Sequence, residues 1–271
     1  MKIVSWNCRG LDSSHKKEDL KKLLHVEKPS ILMLQETKLG DLENLNDLQK
    51  NWNYCDGRVV SSIGALGGIR IFWKRANFDL QSQVQTQFWI RLNLLNKISG
   101  MLYSIINVYI LNNYNEKIEC WQSLIDLANG SPLQNLIITR DFKTTRAAMQ
   151  KRGGSIVRDQ FRERLEDLIS DLNLYDVPSN KGIYPWNNRR AGPGHITARL
   201  DRFLISSDML AFPEKSCSMN LPWVGSDHHP IRLTFEKQQN WGPIPFKLNP
   251  LWLDRPEILQ SIAQIWNQWI T

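Results

Sequence analysis

The stretch Ile31-Leu32-Met33-Leu34-Gln35-Glu36 decides the fold class, because it is an unbroken apolar run that ends on two polar residues. Four consecutive large apolar side chains are typical of a strand that is buried on both faces, as in sheets covered by helices. The segment before it, Lys17 to Glu27, has leucines at helical spacing and is followed by Pro29. A helix that leads into a buried strand indicates an α/β protein.

The same pattern, an apolar strand that ends on a polar side chain, recurs along the chain at Asn7, Tyr109 and Asp141. Two other segments, Gly67–Trp73 and Phe88–Leu92, alternate in the way that half-exposed antiparallel strands do. Buried strands linked by helices, together with alternating strands, favour two mixed sheets packed face to face with helices outside. We therefore predict a four-layer αββα sandwich.

Two further helices are predicted inside this sandwich, at about Glu116–Ala128 and Ile156–Asn173, from apolar residues spaced by three and four. The composition changes at Gln238, and Glu257–Trp269 has the pattern of an amphipathic helix. We place the domain boundary near Glu236, which divides the chain into residues 1–236 and a connector tail, residues 237–271.

Composition narrows the class of partner. The 271 residues carry a formal net charge of +7, which favours an anionic partner, with nucleic acid as the first candidate. The four cysteines form no metal-binding or disulfide pattern and are interpreted as reduced core residues. No secretory signal or membrane span is visible in the sequence. We expect a monomer in the nucleus or the cytoplasm, without a membrane partner.

Polar residues at strand ends converge at one edge of an α/β sheet, so Asn7, Glu36, Tyr109 and Asp141 are expected to form one site with Asp227 and His228. Carboxylate and amide oxygens are ligands that Mg²⁺ prefers, and a His–carboxylate pair can orient water and stabilise a phosphorane.

Each residue also has a structural interpretation. Glu36 could cap a turn, Asp141 could cap a helix, Tyr109 could be a core aromatic residue, and His228 could serve in packing. Taken singly, each residue favours the structural interpretation; their joint occurrence in this order favours a site.

Six ordered motifs within residues 1–236 resemble the endonuclease domain of non-LTR (long interspersed element) retrotransposons, most closely that of plant elements. That domain is a relative of abasic-site endonucleases in the endonuclease/exonuclease/phosphatase (DNase I-like) family. The motifs are Trp6-Asn7-Cys8-Arg9-Gly10-Leu11, Leu34-Gln35-Glu36-Thr37-Lys38, Asn107-Val108-Tyr109, Asp141-Phe142, Leu200-Asp201-Arg202-Phe203 and Ser226-Asp227-His228-His229-Pro230. The tail resembles the connector that precedes reverse transcriptase in those polyproteins, a domain that these 271 residues do not include.

The resemblance implies a metal-dependent DNA-nicking endonuclease that leaves a 5′-phosphate and a 3′-hydroxyl. The metal, Mg²⁺ or Mn²⁺ in its place, would be bound by Asn7, Glu36 and Asp227. The implied catalytic residues are Tyr109 at the phosphate, Asp141 as the base, and Asp201 paired with His228. Lys143 and Ser226 would contact the phosphate, and Arg189 and Arg190 would contact DNA from a hairpin between Asn187 and Thr197.

The sequence departs from the resembled family at two places. The family's Gly-Asp-Phe-Asn is replaced by Arg140-Asp141-Phe142-Lys143, and the Thr of an aromatic-Thr-aromatic motif is replaced by Pro185. A Lys can pair with Asp141 and weaken it as a base, and Pro removes a hydroxyl and a backbone donor. We expect these departures to impair nicking. Two alternatives stay open: a catalytically inactive nucleic-acid-binding remnant, and a phosphodiesterase of the same fold that acts on small phosphate esters.

Overall fold

In a computed structural model of the protein, the chain divides into two compact units, Met1–Lys237 and Gln238–Thr271. The structure describes residues 1–40, 52, 54–63, 66–110, 113–127, 133–154, 159, 161–222, 225–237 and 255–269. Within the second unit it describes one helix, Pro256–Trp269.

The strands of the first unit are two to nine residues long. In chain order they are β1 (Lys2–Asn7), β2 (Ile31–Gln35), β3 (Cys55–Ile63), β4 (Leu66–Lys74), β5 (Phe78–Gln85), β6 (Trp89–Asn96), β7 (Leu102–Val108), β8 (Ile137–Asp141), β9 (Lys151–Arg152), β10 (Leu174–Asp176), β11 (Trp186–Asn187), β12 (Thr197–Ala198), β13 (Asp201–Ser206), β14 (Glu214–Asn220) and β15 (Ile231–Lys237). The α-helices are α1 (Ser14–Glu27), α2 (Tyr114–Asp126), α3 (Phe161–Asp171) and, in the second unit, α4 (Pro256–Trp269).

Two six-stranded sheets contain most of these strands. Their orders are β14-β15-β1-β2-β4-β3 and β10-β13-β8-β7-β6-β5. Both sheets are mixed, because β1 runs parallel to β2 and β7 runs parallel to β8, whereas the other pairs in both sheets are antiparallel. A third, small sheet has the order β11-β12-β9.

Three buried apolar clusters show how the layers stack. The central cluster joins residues of both large sheets, such as Ile3 and Met33 from one and Ile105 and Phe203 from the other. A second cluster lies between the second sheet and helices α2 and α3, and a third lies between the first sheet and α1. The order helix, sheet, sheet, helix is the predicted four-layer αββα sandwich, which is confirmed.

The burial predicted for two strands is wrong. Gly67–Trp73 and Phe88–Leu92 do lie in antiparallel strands, β4 and β6. They are not half exposed, however: Arg70 and Phe72 are 1% and 0% exposed, and Arg91 is 8% exposed. Both strands are interior to their sheets, and each sheet is covered on one face by the other sheet and on the other face by helices, so neither side of these strands reaches water.

The helices begin or end within a few residues of the predicted bounds. Helix α1 begins at Ser14, earlier than predicted, because the Ser13 hydroxyl accepts a hydrogen bond from the backbone N–H of Lys16. Residues 155–158, at the predicted beginning of α3, lie outside the described residues. No described helix is long and apolar enough to span a membrane.

Candidate active site

The predicted site residues meet because of strand direction. Asn7 ends β1 and Glu36 directly follows β2, and these two strands are parallel. Asp141 ends β8, and its register partner Asp201 begins the antiparallel strand β13. The loop that precedes β15 brings Asp227 and His228 to the end of β1, because β15 runs antiparallel to β1. The strand ends of the two sheets that carry these residues therefore lie next to each other.

His228 lies at the centre of a cluster of carboxylates and is 0% exposed. Its Nδ1 is 2.7 Å from Asp201 Oδ2, and its Nε2 is 3.6 Å from Asp141 Oδ2. Burial alone would lower the pKa of His228, but Asp201 and Asp141 outweigh it and raise the pKa to about 9. His228 is therefore an imidazolium at neutral pH, and its Nε2 has no hydrogen-bond partner among the described residues.

Asn7 connects the two sheets at the site. Its Nδ2 donates to Glu36 Oε1 at 3.0 Å and to Asp141 Oδ2 at 3.3 Å, and its Oδ1 accepts from the backbone N–H of Arg9 at 3.3 Å. In this orientation the amide nitrogen, and not the oxygen, faces the carboxylates. Metal binding by Asn7 stays a prediction; what the structure shows is a residue that orients Glu36 and Asp141.

Glu36 and Asp227 share a cation. Arg9 Nε lies 3.6 Å from Glu36 Oε2 and 3.2 Å from Asp227 Oδ1. The other oxygen of Asp227 accepts a hydrogen bond from the indole N–H of Trp186 at 3.1 Å, and the other oxygen of Glu36 accepts from Asn7. The two carboxylates thus each turn one oxygen towards the same positive group and one towards a neutral donor.

This donor set fits a hard divalent cation better than zinc. In the described part of the chain, no group of three or more His, Cys, Asp or Glu side chains is arranged to hold a metal ion. Structural and catalytic zinc usually need three or four protein ligands, whereas Mg²⁺ keeps several waters and binds through one or two carboxylates. Burial raises the pKa of the neighbouring Cys8 to about 12, and its thiol is directed to the backbone oxygen of Gln35.

Tyr109 and Lys143 lie side by side at the site. Tyr109 is 8% exposed, and burial together with the nearby Glu36 raises the pKa of its hydroxyl, which stays protonated. Gly67, at φ +82°, makes room for the ring, since a Cβ there would lie 3.1 Å from Tyr109 Cε1. The Lys143 ammonium is 5.4 Å from the centre of the Tyr109 ring.

Lys143 also contacts the predicted base. Its backbone N–H donates to Asp141 Oδ1 at 3.0 Å, in the left-handed conformation with φ 53°. Burial lowers the pKa of Lys143, although Asp141 and Glu36 oppose that shift. Burial raises the pKa of Asp141, but His228 and Lys143 outweigh it, so the pKa is lowered and the carboxylate is ionised.

Ser226 is tied into the protein at the site. Its hydroxyl donates to the backbone oxygen of Asn7 at 2.8 Å and accepts from the backbone N–H of His228 at 3.2 Å. These bonds fix the loop that carries Asp227 and His228 against the end of β1. The predicted contact of Ser226 with a phosphate stays a prediction.

The predicted hairpin is present at one side of the site. Strands β11 and β12 pair antiparallel, and β9 adds a third strand that contains Lys151 and Arg152. Arg189 and Arg190 are exposed at its turn, which is held by Asn188 Oδ1 through the backbone N–H groups of Arg190 and Ile196. The hairpin joins the site directly, because Asn187 N–H donates to the backbone oxygen of Asp227.

Three residues of the site were not predicted from the sequence. Arg9 and Trp186 bind Asp227, and Asn107 bridges the sheets by accepting from Gln35 Nε2 at 2.6 Å. A signal existed for Asn107, because it is a polar residue inside an apolar strand. Arg9 lies inside a matched motif, but its partners cannot be read from the motif itself.

Comparison with known proteins finds similar sequences and similar folds among nucleases and phosphatases. Residues 4–132 match the model of the Endonuclease/Exonuclease/phosphatase family. The match spans just under half of the 271 residues. An exodeoxyribonuclease of Bacillus subtilis is 26% identical over 261 residues, which cover 86% of this chain and 98% of that protein.

Solved structures of nucleases and phosphatases share the fold. A 3′ phosphatase from Neisseria, bound to a product DNA hairpin, superposes with a TM-score of 0.68 at 20% identity over 87% of this chain and 99% of its own. An AP endonuclease from Leishmania major gives a TM-score of 0.66 at 17% identity and covers 87% of both chains. These likenesses show the fold that this chain shares with those proteins.

Proposed function

We propose that this protein is a Mg²⁺-dependent endonuclease that nicks DNA and derives from a non-LTR retrotransposon. The observation that carries the proposal is the convergence of the Asp201–His228 pair, Asp141 and the Glu36–Asp227 pair at one edge of the sandwich. The origin is supported by the six ordered motifs and their spacing along the first 236 residues.

Each side chain has a chemical role in this proposal. Asp141, ionised at neutral pH, accepts the proton of the attacking water. His228 donates a hydrogen bond from Nε2 to a phosphoryl oxygen, and Asp201 holds the ring and balances its charge. The water oxygen bonds to phosphorus as the bond between phosphorus and the 3′ oxygen breaks. The released 3′ oxygen takes up a proton from solvent, which leaves a 5′-phosphate and a 3′-hydroxyl.

Glu36 and Asp227 would bind the metal, and Tyr109 would bind the phosphate or the leaving group. A Mg²⁺ ion held by the two carboxylates would neutralise charge on the phosphate in the transition state. The protonated hydroxyl of Tyr109 donates a hydrogen bond to a phosphate or leaving-group oxygen.

The hairpin favours a polymer over a small phosphate ester. The hairpin is basic and is joined to the site at Asp227 by the hydrogen bond from Asn187. Its turn carries Arg189 and Arg190, and the strand that pairs with β12 carries Lys151 and Arg152. Phosphate contacts by such residues account for most of non-specific DNA affinity. The structurally similar Neisseria 3′ phosphatase, which binds a DNA hairpin, supports the same choice.

Nicking of supercoiled plasmid tests the reaction. We expect open circles with Mg²⁺ and none with EDTA, and Glu36→Gln should reduce the rate by at least about a hundredfold while DNA affinity is kept. Glu27→Gln is the matched control, because Glu27 is also buried but pairs with Arg232, outside the site. Equal nicking by wild type and Glu36→Gln would exclude Glu36 from the site.

The same assay separates the alternatives. A folded wild type that binds DNA but does not nick it would support the binding remnant, and hydrolysis of small phosphate esters without nicking would support the other phosphodiesterase.

Salt dependence tests the hairpin. Replacing Arg189 and Arg190 by Ala should weaken DNA binding and reduce the slope of log K against log salt by about one for each phosphate that these two side chains touch. An unchanged slope would show that the hairpin does not touch the phosphates.

A further inference from the structure

Arg9 lies between the two carboxylates that the proposed function assigns to the metal. Arg9 lies two residues after β1 and has a φ of 51°. Two hydrogen bonds hold its backbone: its N–H donates to Asn7 Oδ1, and its carbonyl oxygen accepts from Lys16 Nζ at 2.7 Å. Its Nε is 3.6 Å from Glu36 Oε2 and 3.2 Å from Asp227 Oδ1.

We propose that Arg9 is a built-in counter-ion, which pairs with Glu36 and Asp227 and must leave them before a divalent cation binds. This inference rests on the metal site of the proposed function. It concerns a competition within the protein that neither the fold nor the six motifs require.

The hydrogen bonds of the two carboxylates show why Arg9 competes with a metal. Glu36 Oε1 accepts from the Asn7 amide, and Asp227 Oδ2 accepts from the Trp186 indole. These neutral donors orient both groups and direct Glu36 Oε2 and Asp227 Oδ1 towards the guanidinium. The oxygens that face Arg9 are therefore the ones that accept no hydrogen bond from Asn7 or Trp186, and a cation would compete with Arg9 for them.

Charge explains why Arg9 pairs with the two carboxylates. Two carboxylates that face each other repel, and His228 Nε2 is 4.0 Å from Asp227 Oδ1, too far for a hydrogen bond. Arg9 Nε lies within 3.6 Å of an oxygen of each carboxylate, so one guanidinium places positive charge beside both.

The surroundings of Arg9 allow it to leave. Its side chain is 43% exposed, whereas those of Glu36 and Asp227 are 9% and 23% exposed. Rotation of the long stem into water changes no backbone contact, because the backbone hydrogen bonds to Asn7 and Lys16 do not involve the side chain. The cost is that of breaking a partly exposed ion pair, which is modest.

Calorimetric titration of the DNA-free protein with Mg²⁺ tests the competition. Arg9→Met keeps the length of the stem and removes the charge, and we expect it to bind Mg²⁺ about five- to tenfold more tightly than wild type does. Arg9→Gln should act in the same direction. Arg75→Met is the matched control, because Arg75 pairs with Asp56 near the opposite end of β4 and should leave the affinity unchanged.

Thermal unfolding supplies a second measurement that does not depend on catalysis. In EDTA, Arg9→Met should unfold at a lower temperature than wild type, and Mg²⁺ should raise the unfolding temperature of Arg9→Met more than that of wild type.

Equal or weaker Mg²⁺ binding by Arg9→Met and Arg9→Gln overturns the inference and leaves the proposed function intact if wild type nicks DNA with Mg²⁺. Failure of wild type and both variants to bind Mg²⁺ overturns the inference and the metal-dependent function together.

Discussion

Strands β8 and β13 are antiparallel neighbours that each carry an arginine beside an aspartate, and they pair residue for residue. Asp141 lies opposite Asp201, and Arg140 lies opposite Arg202. Both aspartates face the candidate site, and both arginines are buried behind it, each 1% exposed. Burial, the largest contribution, lowers the pKa of each guanidinium to about 10.

The partners of the two arginines differ. Arg202 Nη1 donates to Asp176 at 2.9 Å, and its Nη2 donates to Gln150 at 2.8 Å and to the backbone oxygen of Arg199 at 2.7 Å. Asp176 in turn binds Arg199 and Arg146, so the network ties β13 to the segments around it.

Arg140 has almost none of this compensation. Its Nε donates to the backbone oxygen of Asp141 at 3.2 Å, but Nη1 and Nη2 have no acceptor among the described residues. The guanidinium instead lies 4.8 Å from the ring centre of Trp121 and 4.6 Å from that of Phe142. Cation–π contacts offset only part of the cost of removing a charge from water.

The comparison shows that equal burial of a guanidinium group does not imply equal hydrogen bonding. Arg140 and Arg202 lie in adjacent strands and are equally buried, but only Arg202 forms an ion pair with a carboxylate among the described residues. Arg140 lies in β8, and the sequence departs from the resembled retrotransposon pattern there and just after the strand, with Arg140 for Gly and Lys143 for Asn. We infer that the departures weaken the Asp141 side of the site, whereas on the Asp201 side both terminal nitrogens of Arg202 have acceptors and only its Nε has none among the described residues.

The largest effect on stability should come from removing the hydrogen-bonded guanidinium group of Arg202. Arg202→Met should lower the free energy of unfolding by about 3–5 kcal/mol, because it removes the bonds to Asp176 and Gln150 and leaves a buried carboxylate with fewer partners. Urea unfolding measures the change. A loss below about 1 kcal/mol would show that Arg199 and Arg146 alone satisfy Asp176.

A smaller effect should come from restoring the Asp141 side at the site. Lys143→Asn with Pro185→Thr should raise the nicking rate at least about tenfold, or roughly 1.4 kcal/mol. Asn offers a neutral donor and acceptor and tolerates the left-handed φ of 53° at residue 143 better than Lys does. Single-turnover nicking at fixed Mg²⁺ measures it.

A lower rate after this double reversion would mean that Lys143 acts as a phosphate clamp. Reversion of each residue alone assigns the effect, because Pro185 contributes a different contact: its backbone oxygen accepts from His229 N–H.

The smallest effect, of opposite sign to the first, should come from removing the uncompensated charge. Arg140→Met keeps the stem between Trp121 and Phe142, and should raise the free energy of unfolding by about 1 kcal/mol, since two unsatisfied donors are removed. Arg202→Met is its matched control, the same substitution at the register partner. Destabilisation of similar size in both variants would refute the contrast between the strands.

The sequence predicted the fold and the members of the cluster well, because both depend on local patterns. Apolar runs that end on Asn7, Glu36 and Asp141 predict strands whose ends meet, whatever the surrounding contacts are. The burial of β4 and β6 was missed, since alternation along a strand does not reveal that helices cover its second face.

The partners of single residues could not be predicted from the sequence. Nothing near Arg9 shows that Asp227 will lie 3.2 Å from it, and nothing near Trp186 shows that its indole will bind the same carboxylate. Likewise, the sequence places an arginine at 140 and at 202, but it does not show that Arg202, and not Arg140, forms an ion pair with an aspartate among the described residues.

The sequence by itself determined the strand and helix layers and the order of the motifs, because apolar periodicity and polar strand ends are properties of neighbouring residues. Only the tertiary structure decided which carboxylate receives which cation: His228 meets Asp201, Arg202 meets Asp176, and Arg9 meets Glu36 and Asp227. The physical reason is that a buried charge depends on hydrogen-bond partners from distant parts of the chain, and those partners are brought together only when the two sheets pack.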